Sequence, residues 1–158
     1  MSAVMVKELI GISRIRKYNP ADRPRLIEVL KLNMPTYFDS KEVSDYEKYL
    51  NLHAETYLTI EYDNKIVGGA GYNITDRNSI GRITWIFFHL AYSKSVLGRQ
   101  SVDYCLAIFK ANPGIKKLVV TTSQLTYKFF AKFGYQLTST EKDYWGQGLD
   151  LYTMEINL

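Results

Sequence analysis

Three β-rich runs, residues 56–62, 65–73 and 82–90, followed closely by a stretch of helical period, constrain this chain more than any other feature. Only Asp63-Asn64 joins the first two runs, and a polar segment, 76–81, joins the second to the third. Connections of that kind predict a meander of antiparallel strands with a tight hairpin at Asp63-Asn64. Residues 98–111 then place Val102, Cys105, Leu106 and Phe109 at helical spacing and stop at Asn112-Pro113-Gly114. Residues 117–122 read as a short buried strand, which makes one helix-bearing crossover, expected to be right-handed. A further helix is predicted over 124–133, closed by Gly134, and two strands near 135–144 and 149–157.

Upstream, 12–18 is a mixed first strand ended by Asn19-Pro20. A helix follows, with Asp22 as its cap, Pro24 in the first turn, and Leu26, Ile27, Leu30 and Met34 at helical spacing until Pro35. A second helix over 42–52 draws its apolar side from Val43, Tyr46, Tyr49 and Leu50. The order implies an α/β (α+β) domain with a single mixed, mostly antiparallel central sheet flanked by helices. The 158 residues suffice for one such domain, with 1–10 as a loose N-terminal extension.

Composition excludes several function classes. With 46% hydrophobic and 23% charged residues, the chain lies in the globular range. Cys105 is the only cysteine, so no internal disulfide forms, and one cysteine with two histidines leaves little for a metal site. A cytoplasmic location is the expectation. Lys7 and Glu8 interrupt the early apolar stretch, and no run approaches the ~20 apolar residues of a membrane span, so neither secretion nor membrane insertion is expected. The net charge of +4 favours an anionic partner, but the basic residues are scattered, which argues against nucleic acid. Thirteen tyrosines and seven phenylalanines exceed what a small core needs, so some are candidates for a pocket wall while most fill the core.

The strand and helix order, with Lys65-Ile66-Val67-Gly68-Gly69-Ala70-Gly71 in the third strand and Lys128-Phe129-Phe130-Ala131-Lys132-Phe133-Gly134-Tyr135 after the fifth, resembles the GNAT N-acetyltransferases over nearly the whole chain. Segments 33–38, 122–129, 142–145 and 150–154 look like one bacterial branch of that superfamily. The resemblance implies acetyl-coenzyme A as co-substrate, no metal, and a phosphate loop of pattern Gln/Arg-x-x-Gly-x-Gly/Ala opening the central helix. Aligned without gaps, that loop is Ser93-Lys94-Ser95-Val96-Leu97-Gly98, with Leu90 where a proline is common. Amides at a helix N-terminus favour an anion, and Lys94 and Arg99 add positive charge there. Val96, however, stands where the pattern has glycine, and a β-branched residue resists positive φ and close backbone approach. An ordinary strand-to-helix turn is the plain alternative. The resemblance also implies that the backbone of Phe88 and His89 pairs with the pantetheine arm, with Ser123, Tyr127 and Lys128 on the far wall; helix capping and a solvated face would explain Ser123 and Lys128 equally.

Acetyl transfer needs a neutral amine, a stabilised oxyanion and a proton for the leaving thiolate. At the positions where the similar branch commonly carries an acidic residue and a tyrosine, this chain has Ile86 and Phe130, which cannot move a proton. His89 at the mouth of the same strand, because imidazoles titrate near neutral pH, and Tyr127, one helical turn before Phe130, are the substitutes in catalytic roles. A packed ring and a core aromatic are their plain readings. His53 reads as a surface residue, and Glu61, Asp143 and Tyr144 are further polar candidates that nothing in the sequence orients. Tyr37, Phe38, Tyr144 and Trp145 mark an acceptor site for an amine of apolar or cationic character, although core packing explains them nearly as well. The expected function is acetyl-CoA-dependent N-acetyl transfer to a small-molecule or peptide amine, the alternative a weak or inactive acyl-CoA-binding module. A homodimer is the default assembly.

Overall fold

The computed structural model describes residues 11–75 and 77–158, so the first ten residues and Asp76 lie outside the described residues. In chain order the elements are β1 (Ser13–Lys17), α1 (Arg23–Leu32), α2 (Glu42–His53), β2 (Tyr57–Tyr62), β3 (Lys65–Thr75), β4 (Ile80–Phe88), α3 (Val96–Lys110), β5 (Lys117–Thr122), α4 (Tyr127–Ala131), β6 (Gln136–Gly146) and β7 (Leu149–Asn157). The strands form one sheet in the order β1-β2-β3-β4-β5-β7-β6. Every neighbouring pair is antiparallel except β4 and β5, which the α3 crossover makes parallel. Asp63 and Asn64 take φ values of 48° and 64°, left-handed at both positions, as a two-residue hairpin requires.

The two sheet faces carry different helices because strand side chains alternate. Tyr57 of β2 and Phe87 of β4 pack against Leu26, Val29 and Leu30 of α1 and Tyr46 and Leu50 of α2. Leu58, Ile83, Leu118, Val120 and Met154 pack against Val102, Cys105, Leu106 and Phe109 of α3, the stripe expected from its helical spacing. Each fully buried side chain of this size contributes about 1.5–3 kcal/mol, so α3 is held chiefly by its inner face. Cys105 is buried, and burial alone pushes its thiol up to about 12, so it is no nucleophile at neutral pH.

Three details differ from the sequence expectations. Asp22 makes no side-chain cap to α1. Asn19 caps a preceding 3-10 turn, Pro20–Asp22, by accepting the Ala21 amide at 2.9 Å, and Asp22 is drawn instead into a bidentate pair with Arg16 of β1. The helix α3 starts at Val96, earlier than its apolar stripe, because Ser95 caps it through a 3.2 Å bond from the Leu97 amide to Ser95 Oγ. The helix α4 is only Tyr127–Ala131, since residues 123–126 are a turn in which the amides of Thr126 and Tyr127 both bond the Ser123 carbonyl. Among the described residues, no helix is long and apolar enough to cross a membrane.

Candidate functional site

The sheet opens between its two parallel strands. The β4–β5 ladder runs from Ile80↔Lys117 to Ile83↔Val120 and stops, although β4 continues to Phe88 and β5 to Thr122. Antiparallel partners keep hold of both outer flanks, β3 on β4 and β7 on β5. The split therefore costs only the ladder bonds between the two inner strands. A bulge marks the point of divergence: Thr84 faces Gly71 and Phe87 faces Gly69, so Trp85 and Ile86 lie opposite Ala70 alone. Trp85 takes φ 45°, an uncommon value for a bulky residue, and the surroundings hold it there. The Tyr57 hydroxyl donates to the Trp85 carbonyl at 2.8 Å, and the hydroxyls of Tyr49 and Thr84 meet at 2.6 Å. A Cβ on Gly71 would collide with both Tyr49 and Thr84, so this glycine makes room for the arrangement.

The gap is a cleft of about 690 Å³. Along its β4 wall, Phe88 faces Gly68 while the adjacent His89 amide donates to the Val67 carbonyl at 2.7 Å. Because bonded and non-bonded pairs alternate along an antiparallel ladder, the amide and carbonyl of Phe88 point away from β3. The carbonyl accepts from Asn33 Nδ2 at 3.0 Å, leaving the amide on the cleft side. Phe129, Phe130 and Phe133 form an apolar wall opposite. At the mouth stand Ser93, Lys94, Ser95, Gly98 and Arg99, around the first turn of α3 whose amides have no upstream partner in the helix. A Cβ on Gly98 would sit 3.3 Å from the Phe129 ring, so the absent side chain keeps helix and wall close.

The cleft gathers many of the residues singled out from sequence and leaves others aside. Phe88, Ser93, Lys94, Ser95, Gly98, Arg99 and Ser123 line it, as do Ile86 and Phe130. Val96 does not. It is the first helical residue, half-buried and free of positive φ, so the strain its side chain would suffer in a glycine position does not arise. Leu97 is buried beneath the loop beside Ile60 and Val67, and Leu90 is exposed on the turn before it. His89 lies outside the lining, its Nδ1 turned back to accept the Ala91 amide at 3.1 Å. Tyr127 also lies outside it, packed on Tyr152 with ring centroids 5.0 Å apart, and Lys128 is exposed. Neither His89 nor Tyr127 therefore lines the cleft, since one folds onto its own turn and the other onto β7.

The far end of the cleft is aromatic and carries one acid. Tyr37, Phe38 and Trp145 line it with Trp85, whose ring stacks on Phe38 at 6.1 Å. Trp145 is fixed by donating from Nε1 to the Thr122 carbonyl at 3.0 Å. Tyr144, by contrast, is half-exposed and meets the Trp145 ring edge-on. Glu42, at the start of α2, also lines this end and is buried at 6% exposure. Its Oε2 accepts the Asp39 amide at 2.8 Å. Burial pushes its carboxyl up to about 7, against the pull of that hydrogen bond. Sequence reasoning passed over Glu42 because an acid in the first turn of a helix ordinarily reads as a solvated dipole partner. Asn33 stands in the sequence only as the start of segment 33–38, and its bond to a strand carbonyl 55 residues away has no local signal. Among the described residues, no group of three His, Cys, Asp or Glu side chains could hold a metal.

Comparison with known proteins agrees with this geometry. The acetyltransferase (GNAT) family profile matches residues 26–135. No curated protein matches the chain. Among solved structures, Ard1 from Thermoplasma volcanium superposes with a TM-score of 0.77 at 15% identity, covering 92% of this chain and 97% of that one. An N-acetyltransferase from Staphylococcus aureus Mu50 gives 0.72 at 14% identity, covering 93% and 99%. An aminoglycoside 6'-N-acetyltransferase complexed with coenzyme A gives 0.70 at 14% identity, covering 91% and 96%. At such identities the likeness shows a shared fold.

Proposed function

The chain belongs to the GNAT acetyltransferase family, and from that premise we propose that it is an acetyl-CoA-dependent N-acetyltransferase whose reaction takes place in the cleft between β4 and β5. One observation carries this reading: the sheet splits beside the inward-facing Phe88 amide, with the open N-terminus of α3 at the same mouth. A long ligand with a peptide-like arm and a diphosphate would match both features, the arm adding to β4 like a strand and the diphosphate meeting amides and helix dipole. Lys94 and Arg99 would strengthen the second contact. Bound there, acetyl-CoA would supply an acetyl group activated as a thioester. Phe129, Phe130 and Phe133 would give the thioester an apolar wall, and the Phe88 amide would be a donor on the opposite side.

The aromatic end is the place for the acceptor amine. A lysine-like amine is mostly protonated at neutral pH, with a pKa of ~10.4, whereas a thiol near ~8.5 is a tolerable leaving group. Deprotonation of the acceptor is therefore the step that most needs help, and the lost acid at Phe130 matters less. Ile86 and Phe130 favour a second reading, an acyl-CoA-binding module without turnover. Calorimetry with acetyl-CoA and release of coenzyme A with a panel of primary amines separate the two. Micromolar binding with turnover is the expected result. Binding without turnover for any amine leaves only the module, and absence of binding removes both.

A further inference from the structure

We propose that Glu42 is the acceptor-side carboxylate of the cleft, binding the ammonium group of a primary amine carried on a flat apolar body and taking its proton before acetyl transfer. The inference rests on the transferase reading and adds to it the base and the class of acceptor. Glu42 is buried, yet no cation pairs with it among the described residues; the salt bridges found join other side chains. An unpaired buried carboxylate is costly to keep, and a ligand cation would relieve that cost. One oxygen, Oε2, is committed to the Asp39 amide. Among the described residues Oε1 receives no protein hydrogen bond and is not a sealed orphan, so it is open to the cleft that Glu42 lines.

The walls at this end supply the rest of the specificity. Trp85, Phe38, Tyr37 and Trp145 offer ring faces and edges that suit an aromatic or other flat body, and a cation beside them gains further from the ring quadrupoles. The cleft's cations, Lys94, Arg99 and Lys132, come from the turn before α3, from α3 and from the cap of α4, and none of them pairs with Glu42 among the described residues. A second amino group on the acceptor would find no second acid among the lining residues, so a monoamine fits and a polyamine does not.

Several charges bear on the Glu42 carboxyl. Burial raises its proton affinity most, the charges of Asp39 and Asp45 add to it, and the hydrogen bond from the Asp39 amide and the charge of Lys41 oppose it without prevailing. The group is thus poised near neutral pH, where a general base is most effective. The proton balance closes. The ammonium gives one proton to Glu42, its nitrogen lone pair forms the C–N bond to the acetyl carbon, and the C–S bond breaks. The second amine proton reaches the thiolate, giving coenzyme A, and Glu42 releases its proton to solvent.

The test uses Glu42→Gln, which keeps an oxygen for the Asp39 amide, with 2-phenylethylamine and its neutral analogue 2-phenylethanol as probes. Wild type should bind the amine at least tenfold more tightly than the alcohol, and the variant should lose that preference while its acetyl-CoA dissociation constant stays within twofold. Turnover should fall 100-fold or more, with loss of the limb of the pH–rate profile near 7. Unchanged discrimination with an unchanged pH profile overturns the proposal. Loss of acetyl-CoA binding by the variant also overturns it, because Glu42 would then be a structural prop. If wild type binds the amine selectively but never transfers acetyl, the ammonium site stands while the transferase reading and the base role fall.

Discussion

Arg16 and Asp22 join β1 to the start of α1 through two hydrogen bonds of 2.8 and 2.9 Å, and Thr59 and the Asn19 amide satisfy Asp22 further. Burial opposes ionisation of Asp22, but Arg16, Asn19 and Thr59 outweigh it and hold the carboxyl below its usual range. A depressed pKa contributes stability above the unfolded value near ~3.9, and this is lost as pH falls through the lower folded value. Asp22→Asn should therefore cost about 2 kcal/mol at pH 7 by urea denaturation, less than a fully buried pair because Arg16 is partly exposed. The gap from wild type should narrow below about pH 4. Glu42 has the opposite sign, since its folded carboxyl titrates at about 7, above the unfolded value. The unfolded state there releases its proton first, so stability falls as pH rises from about 4.5 to 7. The same denaturation experiment on Glu42→Gln should show a variant more stable than wild type at pH 8 and equal to it at pH 4. A site that lowers stability in order to keep an unpaired acid is what function, more than folding, would retain.

At the scale of elements, the bulge in β4 decides where the sheet opens. Its conformation at Trp85 depends on a hydroxyl delivered from β2, two strands away. Tyr57→Phe keeps the ring and its packing on Tyr46 and Tyr49 but removes that donor, leaving a carbonyl in an aromatic setting without its partner. The expected loss is about 1–2 kcal/mol in thermal or urea unfolding. Lower turnover should accompany it, because Trp85 and Ile86 both line the cleft. A variant with wild-type stability would show that the bulge holds without the hydroxyl. The helix α3 contributes differently: its inner stripe anchors it to the sheet while its capped first turn, set by Ser95, fixes the amides at the cleft mouth.

At the scale of the molecule, the cleft separates two halves of one sheet, β1 to β4 on one side and β5, β7 and β6 on the other. A ligand that bridges the halves should stabilise both together. Coenzyme A at 100 times its dissociation constant should raise stability by about 2.7 kcal/mol. Amide hydrogen exchange should slow at Phe88 by tenfold or more, and much less at the core of α2. Equal protection at both places would argue against strand-like pairing on β4.

The amino-acid pattern alone determined the element order, the Asp63-Asn64 turn, the inner stripe of α3 and the mixed sheet, because those follow from local periodicity and turn chemistry. The resemblance to the GNAT family, more than the pattern alone, singled out Lys94, Gly98 and Arg99, which do line the cleft. That Glu42 is buried and lines the cleft was decided only by the tertiary structure. Asn33 takes its place from a strand carbonyl 55 residues away, Glu42 is buried where the start of α2 meets the cleft, and the His89 ring turns back onto the Ala91 amide. Burial and direction are properties of packed neighbours, so an acid on a helix and a histidine on a strand look alike until the chain closes around one of them.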